Sequence, residues 1–506
     1  MKTSQHGIFL NLFLSRHANA APLSEQLYAQ IKDLVSKGFL APGDLLPPSR
    51  HLSVKLGIGR NTVVRAYQQL VQEGFAYSQV GHGTRISESF LQRTSVEQKS
   101  HDDSFVRHPK MALNSRAEVG ESTYRIGVDP ELPFSLMSPD LQTIPGKKWV
   151  QLVTRCQKIP WRHNGFSMPE GIPDYRQAVA KTLKEHRGIV CDYQQVVAVS
   201  NIRQGLALCA QLLFEPGDEI AVENPGYQVH HNLLRFYGLK LIPIPVTDNG
   251  LDLTTLFSLE KPPKAVLVAP NNQFPTTAVM SENSRKALEE WANLKNCWII
   301  EDDYDGHISH EKYPSPSIAV FDPLWTNTIH LGSFSKSIYP GFKLGYMVMN
   351  RSLVKAFAGA RLFSDRQCCE NHEVVLANFI NEGNFESHLR KLRNTLNSRR
   401  NVLLAELEKN LTIFGKWKVP KNGGHICFEF YQSIDDVTLS AFLKQKYRIV
   451  CRPLSPQYLT NDKKFGFILG FSGFSEEALI RAVGVLKKGI VDFIQNTPSY
   501  SQILPY

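Results

Sequence analysis

From about residue 124 onward, short β-branched runs recur between stretches with helical periodicity. The runs include VVAVS (Val196 to Ser200), EIAVE (Glu219 to Glu223), AVLVAP (Ala265 to Pro270), WIIED (Trp298 to Asp302) and TIHLGS (Thr328 to Ser333). Strands separated by helices have the crossover connections that parallel pairing needs, so this alternation predicts a parallel α/β sheet covered by helices. The pattern excludes all-helical and all-β architectures for most of the chain. After about residue 370 a long amphipathic pattern through Asn410 opens a smaller α/β subdomain. At 506 residues the chain is too long for one core and implies two or three domains.

The first ninety residues follow another plan. Pro22 and Ser24 open a helix whose Leu23, Leu27, Ile31 and Leu34 share one face. Pro47-Pro48-Ser49 starts a second helix that Gly57 stops, and a third runs from about Arg60 to Gly74. Val63, Tyr67, Leu70 and Val71 form the inner stripe of the third helix. Arg60, Asn61, Arg65, Gln68 and Gln72 are left for solvent or a partner. Phe75 to Ile86 then carries VGHGT, a glycine-rich turn between two short strands. From about Ser87 to Thr123 the composition shifts to Ser, Gln, Asp, His and Arg, which reads as an extended, unpacked linker. The expected domains are therefore residues 1–88, a linker over 89–123, and residues 124–506.

Composition narrows the function classes. Apolar content of 42% and charged content of 21% are those of a soluble protein, and no apolar run is long enough to span a bilayer. The net charge of +10 suits nucleic acid or phosphorylated ligands. Eight scattered cysteines have neither zinc nor redox spacing, which points to a reducing cytoplasm. Lys2, the apolar stretch Ile8 to Leu14 and Ala18-Asn19-Ala20 loosely imitate a secretory signal. The stretch is short and Asn11 interrupts it, so packing on the first domain is the preferred reading.

Lys336 lies in GSFSKSIYPGFKLGY (Gly332 to Tyr346), downstream of the acidic cluster EDDYD (Glu301 to Asp305). A Schiff-base lysine needs small hydroxyl neighbours that hold a phosphate and a carboxylate that protonates a pyridine nitrogen. This combination points to pyridoxal 5′-phosphate, whose ring serves as an electron sink.

The stretch GDLLPPSRHLSVKLGIGRNTVVRAYQQLVQEGFAYSQVGHGT resembles the N-terminal domain of the GntR family, a winged helix-turn-helix, over most of residues 22–86. The resemblance implies a double-stranded DNA operator as partner. Arg60 and Asn61 would reach base edges, Thr62, Arg65 and Arg50 would contact phosphates, and His82 and Gly83 would form the wing tip. The family usually caps the third helix with Ser or Thr where this chain has Gly59. A helical interaction domain with solvated arginines is the alternative reading.

From residue 126 to about 490, four ordered motifs resemble fold-type I aminotransferases: HRGIVCDYQQVVAVSNIRQGLALCAQLLFEPGDEIAVENPGY, APNNQFPTT, WIIEDDYDG and LGSFSKSIYPGFKLGY. Joined to the GntR-like start, they resemble the MocR subfamily, also called GabR-type. The implied fold is multidomain: an N-terminal winged helix-turn-helix and a C-terminal α/β fold-type I PLP-dependent aminotransferase-like domain with a small α/β subdomain. The resemblance carries the Schiff-base role to Lys336, the pyridine carboxylate to Asp302, preferred to its neighbour Asp303 because the acidic residue ending the strand should point into the pocket, and the ring-oxygen hydroxyl to Tyr304. It carries ring stacking to Tyr227 and places Asn271, Asn272 and Gln273 beside the ring oxygen. Phosphate would be held by Ser333, Ser335 and the helix start at Ser200, Asn201 and Ile202. Lys343 stands where the family usually has an arginine; it keeps the charge and loses the planar fork. Thr277 and Asn201 replace glycines. Arg452 is the candidate cation for a ligand carboxylate, with an ordinary surface ion pair as its alternative. No metal site is expected.

The leading function is a PLP-dependent, DNA-binding transcriptional regulator that senses pyridoxal phosphate or a small amino compound at Lys336. The resemblance also implies a cytoplasmic homodimer with no membrane partner. Two alternatives stand beside it: a working aminotransferase with a DNA-binding arm, and a regulator whose aminotransferase-like domain has lost its cofactor.

Overall fold

The computed structural model describes residues 12, 14–15, 21–36, 40–79, 83–87, 115–124, 129–136, 138–144, 146–158, 167–312 and 315–497. The chain divides into two compact units, Met1–Ala112 and Leu113–Tyr506.

The first unit contains α1 (Leu23–Ser36), α2 (Ser49–Leu56), α3 (Arg60–Gln72) and the hairpin β1 (Ala76–Gln79) and β2 (Gly83–Ile86). Gly57 ends α2 in the left-handed region at φ 63° and donates its amide back to the Ser53 and Val54 carbonyls. The stripes meet in one core, where Leu27, Ile31, Leu52, Val63, Ala66, Leu70 and Ile86 are fully buried. The Tyr67 hydroxyl donates to the Pro47 carbonyl at 2.8 Å and ties α3 to the entry of α2. Leu45 bridges to Arg85 beside the hairpin. Leu12 and Leu14 pack against this core; the rest of the apolar stretch from Ile8 lies outside the described residues.

The second unit begins with α4 (Ser115–Tyr124). The polar composition of this stretch pointed to extended linker, and the helix is held instead by docking. Arg116 lies over the Phe236 ring at 5.8 Å, and Asn232 donates to the Thr123 hydroxyl at 3.1 Å.

An eight-stranded sheet follows, in the order β3-β10-β9-β8-β7-β4-β5-β6. Its strands are β3 (Val196–Val199), β4 (Glu219–Asn224), β5 (Lys240–Thr247), β6 (Gly250–Leu251), β7 (Ala265–Val268), β8 (Trp298–Asp303), β9 (Thr328–Ser333) and β10 (Gly345–Val348). The five strands from β9 to β5 pair in parallel. β10 runs antiparallel to both β9 and β3, so the sheet is mixed where the alternation predicted a parallel one. Its cause is local: the segment from Phe334 to Leu344 holds only a three-residue 3-10 turn, too little for a crossover. Pro243 and Pro245 in β5 are tolerated because β6 pairs only with Val246 and Thr247 on that strand's outer side. Apolar residues on both faces of the sheet, including Val197, Ile220, Val266, Ile300 and Ile329, are fully buried.

Two helices, α5 (Ile202–Leu212) and α6 (Gln228–Phe236), start at the C-terminal ends of β3 and β4. The subdomain holds α7 (Asn384–Asn410), α8 (Glu476–Gln495) and a four-stranded antiparallel sheet, β11-β12-β14-β13. These strands are β11 (Gly415–Trp417), β12 (His425–Phe430), β13 (Arg452–Pro453) and β14 (Gly466–Gly470).

Candidate functional site

A cavity of about 220 Å³ opens at the C-terminal edge of the parallel strands, the usual place for a ligand in an open α/β sheet. Asp302 comes from the end of β8, Ser333 from the end of β9, and Ser335 and Lys336 from the turn after it. Asn201, Ile202 and Arg203 enter from the start of α5, and Tyr227 from the residue before α6. The subdomain contributes Gly424, His425, Arg452 and Ser472.

Strand alternation decides what each acidic residue of β8 faces. Glu301 and Asp303 point to one side, where His330 Nδ1 is 3.0 Å from Glu301 and Arg187 Nε is 3.0 Å from Asp303. Asp302 points to the other side and lines the cavity. Its Oδ2 lies 3.3 Å from His230 Nδ1, while its Oδ1 is buried with no hydrogen-bond partner. A buried carboxylate oxygen without a donor is costly, so this atom is poised for an N–H from within the cavity.

Asn272 donates to the Tyr304 hydroxyl and to Asp305, both at 2.9 Å, and so fixes two cavity-lining groups from behind. Lys336 Nζ donates to the Leu136 carbonyl at 2.7 Å. Burial pulls the pKa of the Lys336 amine below its ordinary value; the Asp305 carboxylate opposes the shift and Arg452 adds to it. Burial also pushes the Asp305 carboxyl up to about 6, against the pull of Lys336. Tyr227 meets His230 edge-on at 4.8 Å and Phe274 at 5.2 Å. The Arg452 guanidinium sits 5.6 Å from the Tyr227 ring centre, and its buried Nη2 has no partner.

Not every expected residue reaches the cavity. The Ser200 hydroxyl donates to Asp365 at 3.2 Å and its amide to the Gln204 side chain at 2.7 Å, so Ser200 stands behind the helix start. Asn271 is buried on the far side, between Asp303 and Arg285. Gln273 is spent on the Pro225 carbonyl. Asn201 is extended (φ −174°) and caps α5 by accepting the Gln204 amide, so its loop never needs the left-handed backbone a glycine would favour. Thr277 does adopt a left-handed φ of 62°, and Lys343 one of 53°. Such a conformation costs a β-branched residue about 1–3 kcal/mol. His230, Leu136, Arg203 and His425 carried no sequence signal, because their place in the cavity depends on elements distant in the chain.

The residues present fit pyridoxal 5′-phosphate. The orphaned Asp302 oxygen suits a pyridine N–H, the Ser333 and Ser335 hydroxyls and the exposed Lys343 amine suit a phosphate, and Lys336 is a half-buried nucleophilic amine.

In the first unit Arg50, Arg60, Asn61, Arg65 and Gly83 are exposed and Thr62 is half-buried. The first turn of α3 carries no acidic residue, so its N-terminal end presents cations and backbone amides together. His82 lies outside the described residues.

Fold and cavity together define a fold-type I aminotransferase-like body, a fold that binds pyridoxal phosphate, on a chain that begins with a winged helix-turn-helix. The aminotransferase class I and II family model matches residues 145–474, and that of the gntR family of bacterial regulatory proteins matches residues 23–86. The chain belongs to the aminotransferase class I and II family and carries a gntR-family domain before it, the arrangement of MocR-type transcriptional regulators. It is 27% identical over 487 residues to the probable rhizopine catabolism regulatory protein MocR of Rhizobium meliloti, covering 95% of this chain and 96% of that protein. It is also 27% identical over 459 residues to the pyridoxine biosynthesis transcriptional regulator PdxR of Corynebacterium glutamicum, covering 90% of this chain and 93% of that one. Among solved structures, a kynurenine aminotransferase from Pyrococcus horikoshii aligns with a TM-score of 0.67 at 24% identity, over 79% of this chain and 99% of its own. The α-aminoadipate aminotransferase LysN from Thermus thermophilus aligns at 0.69 and 19% identity, over 76% and 98%. The structural matches establish the fold of the second unit.

Proposed function

We propose that this regulator carries pyridoxal 5′-phosphate on Lys336 and changes its operator binding when the cofactor, or a small amino compound reaching it, occupies the cavity. The observation that carries the reading is the pairing of the half-buried, cavity-lining Lys336 amine with a cavity-facing Asp302 whose Oδ1 has no partner. Bound there, the cofactor would supply an electron sink. Asp302, steadied by His230, would hold the proton of the ring nitrogen, and Tyr304 would donate to the ring oxygen. Tyr227 would cover the ring face, and Ser333, Ser335 and Lys343 would hold the phosphate. Arg452 would take a ligand carboxylate. In the reading proposed here, residues 1–88 form the DNA reader and residues 124–506 the effector and dimerisation part, working as a homodimer in the cytoplasm.

Lys336 Nζ also holds the Leu136 carbonyl, in the stretch of the second unit that follows α4. Committing Nζ to another bond would remove that donor from the Leu136 carbonyl. We propose that loss of this bond is the first local response to occupancy.

The test is the absorbance spectrum of the full chain with added pyridoxal phosphate, beside Lys336→Ala. The expected outcome is a protein-bound band in the wild type that borohydride fixes to the Lys336 peptide, and no band in the variant. A free-aldehyde spectrum for both proteins would contradict the reading.

A further inference from the structure

We propose that Arg203 is the main cationic grip on the cofactor phosphate and takes over the task for which Lys343 is poorly suited; this rests on the cofactor reading above. Lys343 offers one exposed ammonium on a left-handed backbone (φ 53°), a point charge without a planar fork. Arg203 is the second residue of α5 and lines the same cavity as Ser333, Ser335 and Lys343. Among the described residues, no hydrogen bond or ion pair ties down its guanidinium, and the first turn of α5 has no acidic side chain to neutralise it.

The cap of α5 makes the extra donor necessary. Asn201 accepts the Gln204 amide, and the Gln204 side chain accepts the Ser200 amide. Two amides that an anion at a helix start would use are thereby taken. The Ile202 and Arg203 amides remain, with the Ser335 hydroxyl; the Ser333 hydroxyl already donates to Ser335 at 2.9 Å. A phosphate dianion has more acceptor sites than these donors fill, and a guanidinium adds two parallel N–H donors in the geometry phosphate prefers. Arg203 is exposed at the rim of this cavity; were it only solvated there, its removal would leave ligand binding unchanged.

The experiment compares binding of pyridoxal 5′-phosphate and of pyridoxal, which lacks the phosphate, to the full chain by absorbance titration. Wild type, Arg203→Gln, Arg203→Lys and Lys343→Gln are measured, with circular dichroism to verify folding. The expected result is a wild-type preference for the phosphorylated form that falls by roughly tenfold or more in Arg203→Gln. The preference should fall less in Arg203→Lys and Lys343→Gln, with pyridoxal binding unchanged throughout. An unaltered preference in Arg203→Gln, or a larger loss in Lys343→Gln, would overturn the assignment and leave the cofactor reading standing. A wild type that binds neither compound would overturn both.

Discussion

Lys336 has electrostatic neighbours of opposite sign, and they decide when its amine is neutral. Burial and Arg452 lower its pKa, and the Asp305 carboxylate raises it. Because only the neutral amine attacks an aldehyde, capture of pyridoxal phosphate should speed up as pH rises through this depressed value. Stopped-flow absorbance should place the midpoint below the ordinary lysine value of about 10.4. Asp305→Asn should move that midpoint lower still, since it removes the group that favours the ammonium. At Arg452, truncation to alanine should weaken an α-amino carboxylate by roughly 10- to 100-fold and leave the matching decarboxylated amine unchanged, as read by competition titration. Much of this was legible residue by residue. Serine hydroxyls before a lysine, a carboxylate at a strand end and an arginine in an apolar run all carry their chemistry in the sequence. Of the adjacent carboxylates the sequence favoured Asp302 over Asp303 as the acidic residue pointing into the pocket, and the pleat of β8 does turn Asp302 to the cavity, while Arg187, Asn271 and His330 occupy Asp303. His230 and Arg203 were illegible because a lone histidine or arginine on a helix has no local pattern that marks it.

At the level of elements, the two helices that begin the sites start differently. α3 starts at Gly59, which is extended and offers no side-chain cap, and a β-carbon there would lie 3.5 Å from the Thr62 hydroxyl, an ordinary contact. Gly59→Ser should therefore stabilise the DNA-binding unit by a few tenths of a kcal/mol, visible as a raised first transition in calorimetry. α5 has a working cap, and Asn201→Ala should cost about 1 kcal/mol in the second unit's denaturant unfolding. Strand and helix alternation made the central sheet readable before any coordinates, as did the proline and glycine signals around α2. The direction of β10 was not readable, because nothing in GYMV distinguishes a parallel from an antiparallel partner. α4 was missed for the opposite reason: SRAEVGESTY has no apolar stripe, and its helix rests on contacts with Phe236 and Asn232.

At the scale of the whole molecule, one chain joins a gntR-family unit to an aminotransferase-like unit. The exposed cations of the first unit should make operator affinity steeply salt-dependent. Arg65→Ala should lower the slope of log K against log salt by about 1, while Arg60→Ala should cost about 1–3 kcal/mol and relax sequence preference, both measured by fluorescence anisotropy. A coupled assay with amino donors and keto-acid acceptors separates regulator from enzyme, since a sensor performs at most a few turnovers per site. The most direct test of the account is the affinity of the full chain for an operator selected from random-sequence DNA, with and without pyridoxal 5′-phosphate, for wild type and Lys336→Ala. The cofactor should shift the affinity or the preferred spacing of sites for the wild type and have no effect on the variant. An identical response of both proteins, or none in either, would contradict it.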